Sequence, residues 1–493
     1  MMMTQSHIAS TSTPSLKATG GAQTSPNATR RQPTFGKMHH VHMVGIGGIG
    51  MSSIAEVLLM RGYRITGSDM SRSEVTNHLE ELGATIFVGH DGAQAEGACV
   101  VVHSSAVDAT TNSETQYAHK HHIPVIRRSE MLGELMRMKF GVGIAGTHGK
   151  TTTTTMAGHV ISAGEFDPTI IVGGKVSAFG SNAVSGAGDI ILIEADEYDR
   201  TFLRLTPSLA VITNIDADHL DCYEDLEDIK DAFVQYASSV PFFGAAIVCL
   251  DDENVRSILG QIDRRVVTYG TLRQAGVRAD KIERDGRYMI FDVFNGEDRL
   301  GPVRLNAPGQ HNVLNALAAI AIGLELDMQF DDIASGIESF SGVQRRMEEI
   351  GEAKGVLVVD DYAHHPTEVK ATLEGAAGSW PTRRIVAVFQ PHLYSRTLDF
   401  CNEFAQSFFD ADVAVIMDVY GARELPIEGV SGKLIADRAH AAGHPQVKYV
   451  AEKADLVPFV VSLLEPGDVV ITMGAGDIWR LNRQIFHQLQ EEV

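Results

Sequence analysis

Cysteine is scarce in this chain: Cys99, Cys222, Cys249 and Cys401 are four residues in 493, with no C-x-x-C pair among them. That spacing excludes a disulfide framework and a thiolate zinc site as the basis of the fold. Long apolar runs are also missing, and the best stretch, 316–324, is about half of the roughly 20 residues that a bilayer span requires. Positive charge is in deficit. With 41 Lys and Arg against 63 Asp and Glu, the formal net charge is −22. Such a surface repels a phosphodiester backbone, which argues against nucleic acid as a partner but not against small phosphorylated ligands held by local dipoles and a few cations. The segment 1–36 is rich in Ser, Thr, Gln and Pro and lacks the apolar core of a secretory signal. It reads as a disordered tail on a cytoplasmic protein with reduced thiols. The remainder is ordinary globular sequence, 44% hydrophobic and 21% charged, and its length suits about three domains.

From about residue 39, short β-rich runs alternate with amphipathic stretches, the pattern of βαβ units on a parallel sheet. Strands are expected at 41–46, 64–67, 84–88 and 99–103, with helices at 52–60 and 74–82. A second series runs through 140–145, 169–172, 190–193, 209–213 and 245–249. The runs 266–269 and 288–293 read as more antiparallel, with Asp285-Gly286 and Asn295-Gly296 as turns, before a helix at 311–326. A third series comprises 356–359, 384–389, 413–418, 447–450 and 469–473. Boundaries near Lys139 and Ser341 give segments 37–138, 139–341 and 342–493, three α/β domains in series.

Two glycine loops follow strands. Gly45-Ile46-Gly47-Gly48-Ile49-Gly50 fits G-x-G-x-x-G, and Asp69 closes the next strand after Ser68. Glycines there allow a diphosphate to approach the backbone at a helix N-terminus, and a carboxylate at Asp69 suits a ribose hydroxyl. Taken alone, this predicts a dinucleotide such as NAD, or another diphosphate plus sugar; a ligand-free βα turn is the plain alternative. Gly146-Thr147-His148-Gly149-Lys150-Thr151-Thr152 follows the run 140–145 and opens a helix. Its amides can cradle phosphate, Lys150 can neutralise charge and the Thr151 hydroxyl can bind Mg²⁺. The strict P-loop spacing would need glycine where Ile144 stands.

Two later strands run into acids: Glu194-Ala195-Asp196-Glu197, and Asn214-Ile215-Asp216-Ala217-Asp218-His219. Ligands collect at the carboxyl ends of strands in open α/β sheets, and Mg²⁺ favours oxygen donors, so Glu194 is a natural ligand beside Thr151. His219 is either a further ligand or a structural histidine. Beyond the runs 356–359 and 384–389 lie Asp361, His364 and Arg396, which can face one cleft. A carboxylate there can orient an ammonium and an arginine can grip a carboxylate, whereas Asp360 and Asp361 can equally cap the next helix.

These segments occur in a fixed order with Pro308-Gly309-Gln310-His311-Asn312, Asp360-Asp361-Tyr362-Ala363-His364-His365-Pro366 and Gln390-Pro391-His392-Leu393-Tyr394-Ser395-Arg396-Thr397. Together they resemble the bacterial Mur ligase family over essentially everything after the tail. The resemblance implies a Rossmann-like N-terminal domain for a UDP-sugar, a central P-loop ATPase-type domain with a mixed sheet, and a Rossmann-like C-terminal domain for the amino acid. The implied reaction joins L-alanine to UDP-N-acetylmuramate with ATP and Mg²⁺; a ligase for a tripeptide on the same UDP-sugar, or an NAD-dependent oxidoreductase, is the alternative. It further implies that the first loop, with Gly45, Gly47, Gly48, Ile49, Gly50, Ser68 and Asp69, holds UDP. Residues 146–152 with His311, Asn312, Asn315 and Arg345 would hold ATP, and Thr151, Glu194 and His219 the metal. Lys150, Glu194, His219, Asp361 and His364 are the catalytic candidates, and Tyr362 and Arg396 are expected on the amino acid. Lys230 lies too close to His219 to act as the carbamoylated lysine of sister enzymes. No membrane partner is implied, and a monomer or weak homodimer is expected.

Overall fold

In the computed structural model, which describes residues 35–176, 181–219, 222–422 and 424–491, each series of β-rich runs builds its own sheet. The tail expected at 1–36 falls, as far as residue 34, outside the described residues. The strand His40–Val44 is buried at every position, as a parallel strand covered on both faces must be. It lies between Arg64–Asp69 and Val100–His103 in an all-parallel sheet completed by Thr85–Val88 and Val125–Arg127. The strand order reverses at His40–Val44, and the first glycine loop leaves from its carboxyl end. This is the place where open α/β sheets bind ligands.

The middle sheet has ten strands. At its centre Phe140–Ala145 lies parallel to Ile190–Glu194 on one side and Leu209–Ile212 on the other, which brings three functional loops to one edge. The helices Lys150–Ala163 and Gln310–Glu325 bury Met156, Val160, Val313 and Leu317 in a single core with these strands. The expectation for 266–269 needs correction. Val266–Gly270 is parallel to both Ala245–Cys249 and Val277–Asp285. Antiparallel pairing begins one strand later, in hairpins that join Val277–Asp285, Tyr288–Asn295 and Asp298–Leu305. Gly286 and Gly296 turn them at φ of 59° and 60°, a conformation that favours glycine.

The third sheet is parallel except for the edge strand Glu348–Ala353, which pairs antiparallel with Val356–Asp361. Sequence patterning misses that strand because its acids lie along a partly exposed edge. Sheet membership changes between Arg127 and Phe140 and again between Leu305 and Glu348.

Leu192 is fully buried in the strand Ile190–Glu194 that presents Glu194. Leu192→Ala should cost about 2–5 kcal/mol. The check is a lower urea midpoint for the middle-domain transition, with the folded-state circular dichroism unchanged.

Candidate functional site

The second glycine loop is shaped by its neighbours before any ligand is considered. Gly146 has φ of 139° and Gly149 φ of 79°. A Cβ on Gly146 would collide with the Thr213 hydroxyl, and one on Gly149 would lie 2.6 Å from Asn315 Oδ1. The loop is stitched to the next strand end. The His148 amide donates to Asn214 Oδ1 at 2.8 Å, Thr213 Oγ1 donates to the His148 carbonyl at 2.7 Å, and the Asp216 amide donates to Thr147 Oγ1 at 2.8 Å. The helix Lys150–Ala163 then starts with its amides open to the loop.

Lys150 donates to the carbonyls of Gly146 and Thr147 at 2.8 and 3.2 Å, and its ammonium lies 2.7 Å from Glu197. Burial works against its charge, but Glu197 and Asp196 outweigh burial and raise its pKa. His219 Nε2 is 3.5 Å from the same Glu197 carboxylate. Burial again opposes the charged ring, and Glu197 with Asp218 prevails, so the His219 pKa is raised. Glu197 stands in the acidic run of the sequence but not among its candidate site residues. Thr151 Oγ1 donates to Glu194 at 2.9 Å, and the Gly173 amide donates to the other Glu194 oxygen at 2.7 Å. This hydroxyl–carboxylate pair is an oxygen donor set of the kind that Mg²⁺ takes. Burial raises the Glu194 pKa, against the opposing effects of the Gly173 amide, Lys150 and the Thr151 hydroxyl. Lys230 pairs with Glu227 at 2.8 Å, on the helix Leu226–Ser238.

A cavity of about 740 Å³ opens beside the loop. His148, Gly149, Thr152, His311, Asn312 and Asn315 all line it. Asn315 donates to Asn312 at 3.2 Å and accepts from Thr153 at 3.1 Å, which fixes both amides. The C-terminal domain forms the opposite wall through Arg346, Asp361 and Glu368. Arg345 is placed differently from its neighbour. It is held away by Asp360 at 3.0 Å and by the Gly474 carbonyl at 2.6 Å, whereas Arg346 lines this cavity, as does Arg287. Burial, with the Arg346 charge, pushes the His311 pKa down to about 4. Asp361 spends its oxygens on the amides of Met347 and Ala363, at 2.8 and 2.7 Å, and does not cap the following helix, whose N-cap is His365.

A second cavity, of about 590 Å³, is lined by Asp196, His219, Tyr362, His364, His392 and Arg396. His364 Nδ1 lies 3.0 Å from the Tyr362 carbonyl and 3.1 Å from Glu368. Burial opposes ionisation of Glu368, yet His364 and Arg346 hold its pKa well below the carboxylate range. Arg396 is buried and donates to both oxygens of Asp218, at 2.7 and 3.1 Å, while its Nε has no hydrogen-bond partner. Burial would raise the Asp218 pKa, but Arg396 and His219 carry it below the ordinary carboxylate range. His148 lies between Asp216, at 3.2 Å, and Glu368, at 3.4 Å. Despite burial, these two carboxylates raise its pKa to about 9.

The first glycine loop differs from expectation in two side chains. Asp69 does not stand free for a ribose: Oδ2 accepts the Gly47 amide at 2.8 Å, and Oδ1 accepts the Met70 amide at 2.8 Å. Ser68 is buried, and its hydroxyl donates to Glu114 at 2.7 Å. Gly45 takes φ of 77°, and Ile49 stays half-exposed at the head of the helix Ile49–Met60. The Arg128 guanidinium, absent from the sequence candidates, lies against Gly50 where any side chain would strike it. Gly48 is the N-cap of that helix.

Three family models match the chain in series: "Mur ligase family, catalytic domain" over 40–140, "Mur ligase middle domain" over 144–323, and "Mur ligase, glutamate ligase domain" over 345–476. The chain is 61% identical to a UDP-N-acetylmuramate–L-alanine ligase of Salinibacter ruber, over 94% of this chain and 98% of that one. It is 49% identical to the ligase of the same name from Geotalea daltonii, over 93% and 99%. The crystal structure of a UDP-N-acetylmuramate–alanine ligase from Thermotoga maritima superposes with a TM-score of 0.75 at 28% identity, covering 91% of this chain and 98% of that one.

The Asp218–Arg396 pair gives a prediction with a definite sign. Because the folded-state pKa of Asp218 is depressed, its contribution to stability is complete above about pH 4 and is lost as pH falls through the folded value. Arg396→Leu strands a buried carboxylate and should cost roughly 3–5 kcal/mol at neutral pH. Asp218→Asn should flatten the acid limb of stability against pH in urea titrations. Equal acid limbs in the wild type and Asp218→Asn would dismiss the linkage.

Proposed function

The chain belongs to the Mur ligase family, and on that premise we propose that it joins L-alanine to UDP-N-acetylmuramate, converting ATP to ADP and phosphate through an acyl phosphate. The geometric observation that supports this most is the Lys150–Glu197–His219 cluster around the buried Glu197 carboxylate, flanked by a cavity on the phosphate-loop side and another on the C-terminal side. A carboxylate is a poor electrophile, so its oxygen first attacks the γ-phosphorus and ADP leaves. The alanine nitrogen then attacks the acyl carbon, loses a proton, and expels phosphate to leave the amide.

In this reading the first cavity takes adenosine, with Asn312, Asn315 and His311 around the base. Residues 146–152 take the phosphates, and Lys150 turns from the loop carbonyls and Glu197 towards the transferring phosphoryl. Thr151 and Glu194 would hold Mg²⁺, which when bound neutralises phosphate charge. His219 stands on Glu197, the carboxylate that pairs Lys150. The second cavity takes the reacting carboxyl and the amino acid. Arg396 Nε, lacking a partner, is offered to the alanine carboxylate, next to Tyr362. His364 is fixed through Nδ1, which leaves Nε2 to exchange a proton with the incoming amine. Closure of the cavities keeps water from the acyl phosphate. The glycine loop at 45–50 takes the UDP diphosphate, with Arg128 as a further cation. Domain boundaries near 139 and 341, Mg²⁺ as the metal, a cytoplasmic setting and a monomer or weak dimer belong to the same proposal; no helix among the described residues is long and apolar enough to cross a membrane.

The test is coupled phosphate release with UDP-N-acetylmuramate across a panel of acceptors. Release is expected with L-alanine and not with D-glutamate or a tripeptide; release without the sugar nucleotide, or equal rates with D-glutamate, would defeat the reading. Lys150→Ala should lower kcat by about a hundredfold or more, since it removes charge aimed at the transferred group. Arg346→Ala should raise KM for ATP about tenfold, the worth of a hydrogen bond to a charged group.

A further inference from the structure

Beside the proposed ATP site the structure gathers a second set of donors, different in kind. His148 from the phosphate loop, Asp216 from the adjacent strand end, and His365 from the C-terminal domain each bring one ligand atom within 4.8 Å of the others. His148 Nε2 is 3.2 Å from Asp216 Oδ2, and His365 Nδ1 is 3.8 Å from the same oxygen. The two rings lie 4.8 Å apart between centroids.

His365 is the unusual member. It is only 3% exposed, and neither ring nitrogen has a hydrogen-bond partner. An unsatisfied buried polar atom is costly, and native structures carry few of them without a reason. Here the ring abuts two side chains of metal-ligating type, His148 and Asp216. The supporting contacts are also those of a coordination site. Glu368 stands 3.4 Å from His148 Nδ1, the nitrogen away from Asp216, and Thr367 Oγ1 donates to Asp216 Oδ2 at 2.7 Å. Carboxylate-backed histidines and hydrogen-bonded carboxylates are the usual second layer around a bound cation.

We propose that His148, Asp216 and His365 form a site for a divalent transition cation of the zinc class, distinct from the Thr151–Glu194 oxygen pair. Two imidazoles and one carboxylate suit Zn²⁺ or Co²⁺ and not Mg²⁺, which demands oxygen. Tetrahedral ligands at about 2.0 Å from a metal sit about 3.3 Å apart, so the 3.2 and 3.8 Å edges through Asp216 are near that geometry, and the two histidine nitrogens, within 4.8 Å of each other, close on the cation when it binds. An occupied site would tie the phosphate loop to the start of the helix Pro366–Ser379 and hold the two domains together.

The test uses the full chain, stripped of metal and returned to excess Mg²⁺. Titration with Co²⁺ should give one equivalent with visible ligand-field bands that Zn²⁺ abolishes, and Zn²⁺ should raise Tm. His365→Ala and Asp216→Asn should each lose the bands and the Tm shift; Glu368→Gln should weaken binding about tenfold or more. Glu194→Gln should keep the site intact. His365→Gln, which preserves volume, replaces the alanine variant if that fails to fold. Absence of stoichiometric binding in Mg²⁺, binding unaltered in both His365 and Asp216 variants, or loss of the bands in Glu194→Gln would overturn the proposal.

Discussion

Lys150 carries a buried charge, and the arrangement of the site follows from the need to pair it. A buried ammonium without a partner would lose its proton or leave the interior. Glu197 pairs it at 2.7 Å and itself takes His219 as a second partner at 3.5 Å. His219 is 3.9 Å from Asp218, and Asp218 is held by Arg396 at 2.7 Å. A chain of ionisable partners thus runs from the phosphate loop, through two strand ends of the middle sheet, into the C-terminal domain. Each member is buried enough that removing one exposes the next to an uncompensated charge, so these groups behave as a unit.

Asp218, with Glu348 and Asp361, also fixes the backbone. His219, Arg345 and Met347 are not glycines, yet they have φ of 56°, 57° and 48°. Each such residue stores strain that the surroundings must over-determine. Here the means are visible: the His219 amide donates to Asp218 Oδ1, the Arg345 amide to Glu348 Oε2, and the Met347 amide to Asp361 Oδ2, each at 2.8 Å. The left-handed turn at Arg345 points its guanidinium to Asp360, while Arg346 faces the cavity. Two adjacent arginines therefore have different surroundings for a reason that lies in backbone conformation.

That distinction marks the limit of what the residues alone reveal. Strand ends and glycine loops are legible because buried parallel strands are continuous apolar runs and because only glycine fits at 146 and 149. Glu197 is not legible as the partner of Lys150, since it lies three residues beyond its strand, before a segment in which Asp199 and Arg200 adopt φ of 53°. Glu368 is hidden likewise, although its i+4 spacing from His364 at the start of a helix offers a faint signal. The strands Val277–Asp285 and Glu348–Ala353 escape because charged, exposed faces dilute their apolar pattern.

The first glycine loop shows how a fingerprint separates into fold and ligand. An acid about 20 residues after G-x-G-x-x-G is usually assigned to a ribose. Here both Asp69 oxygens accept backbone amides, one of them inside the loop, so the acid is required to hold the loop's shape whether or not a sugar is present. Ser68 is likewise committed, to Glu114. Ligand choice must then be exerted by groups that the fingerprint omits, such as Arg128 above Gly50. The overall charge of −22 is no obstacle to anionic ligands for the same reason. Electrostatic interactions in water fade within about 10 Å, so a few local cations and open helix amides outweigh a distant acidic surface.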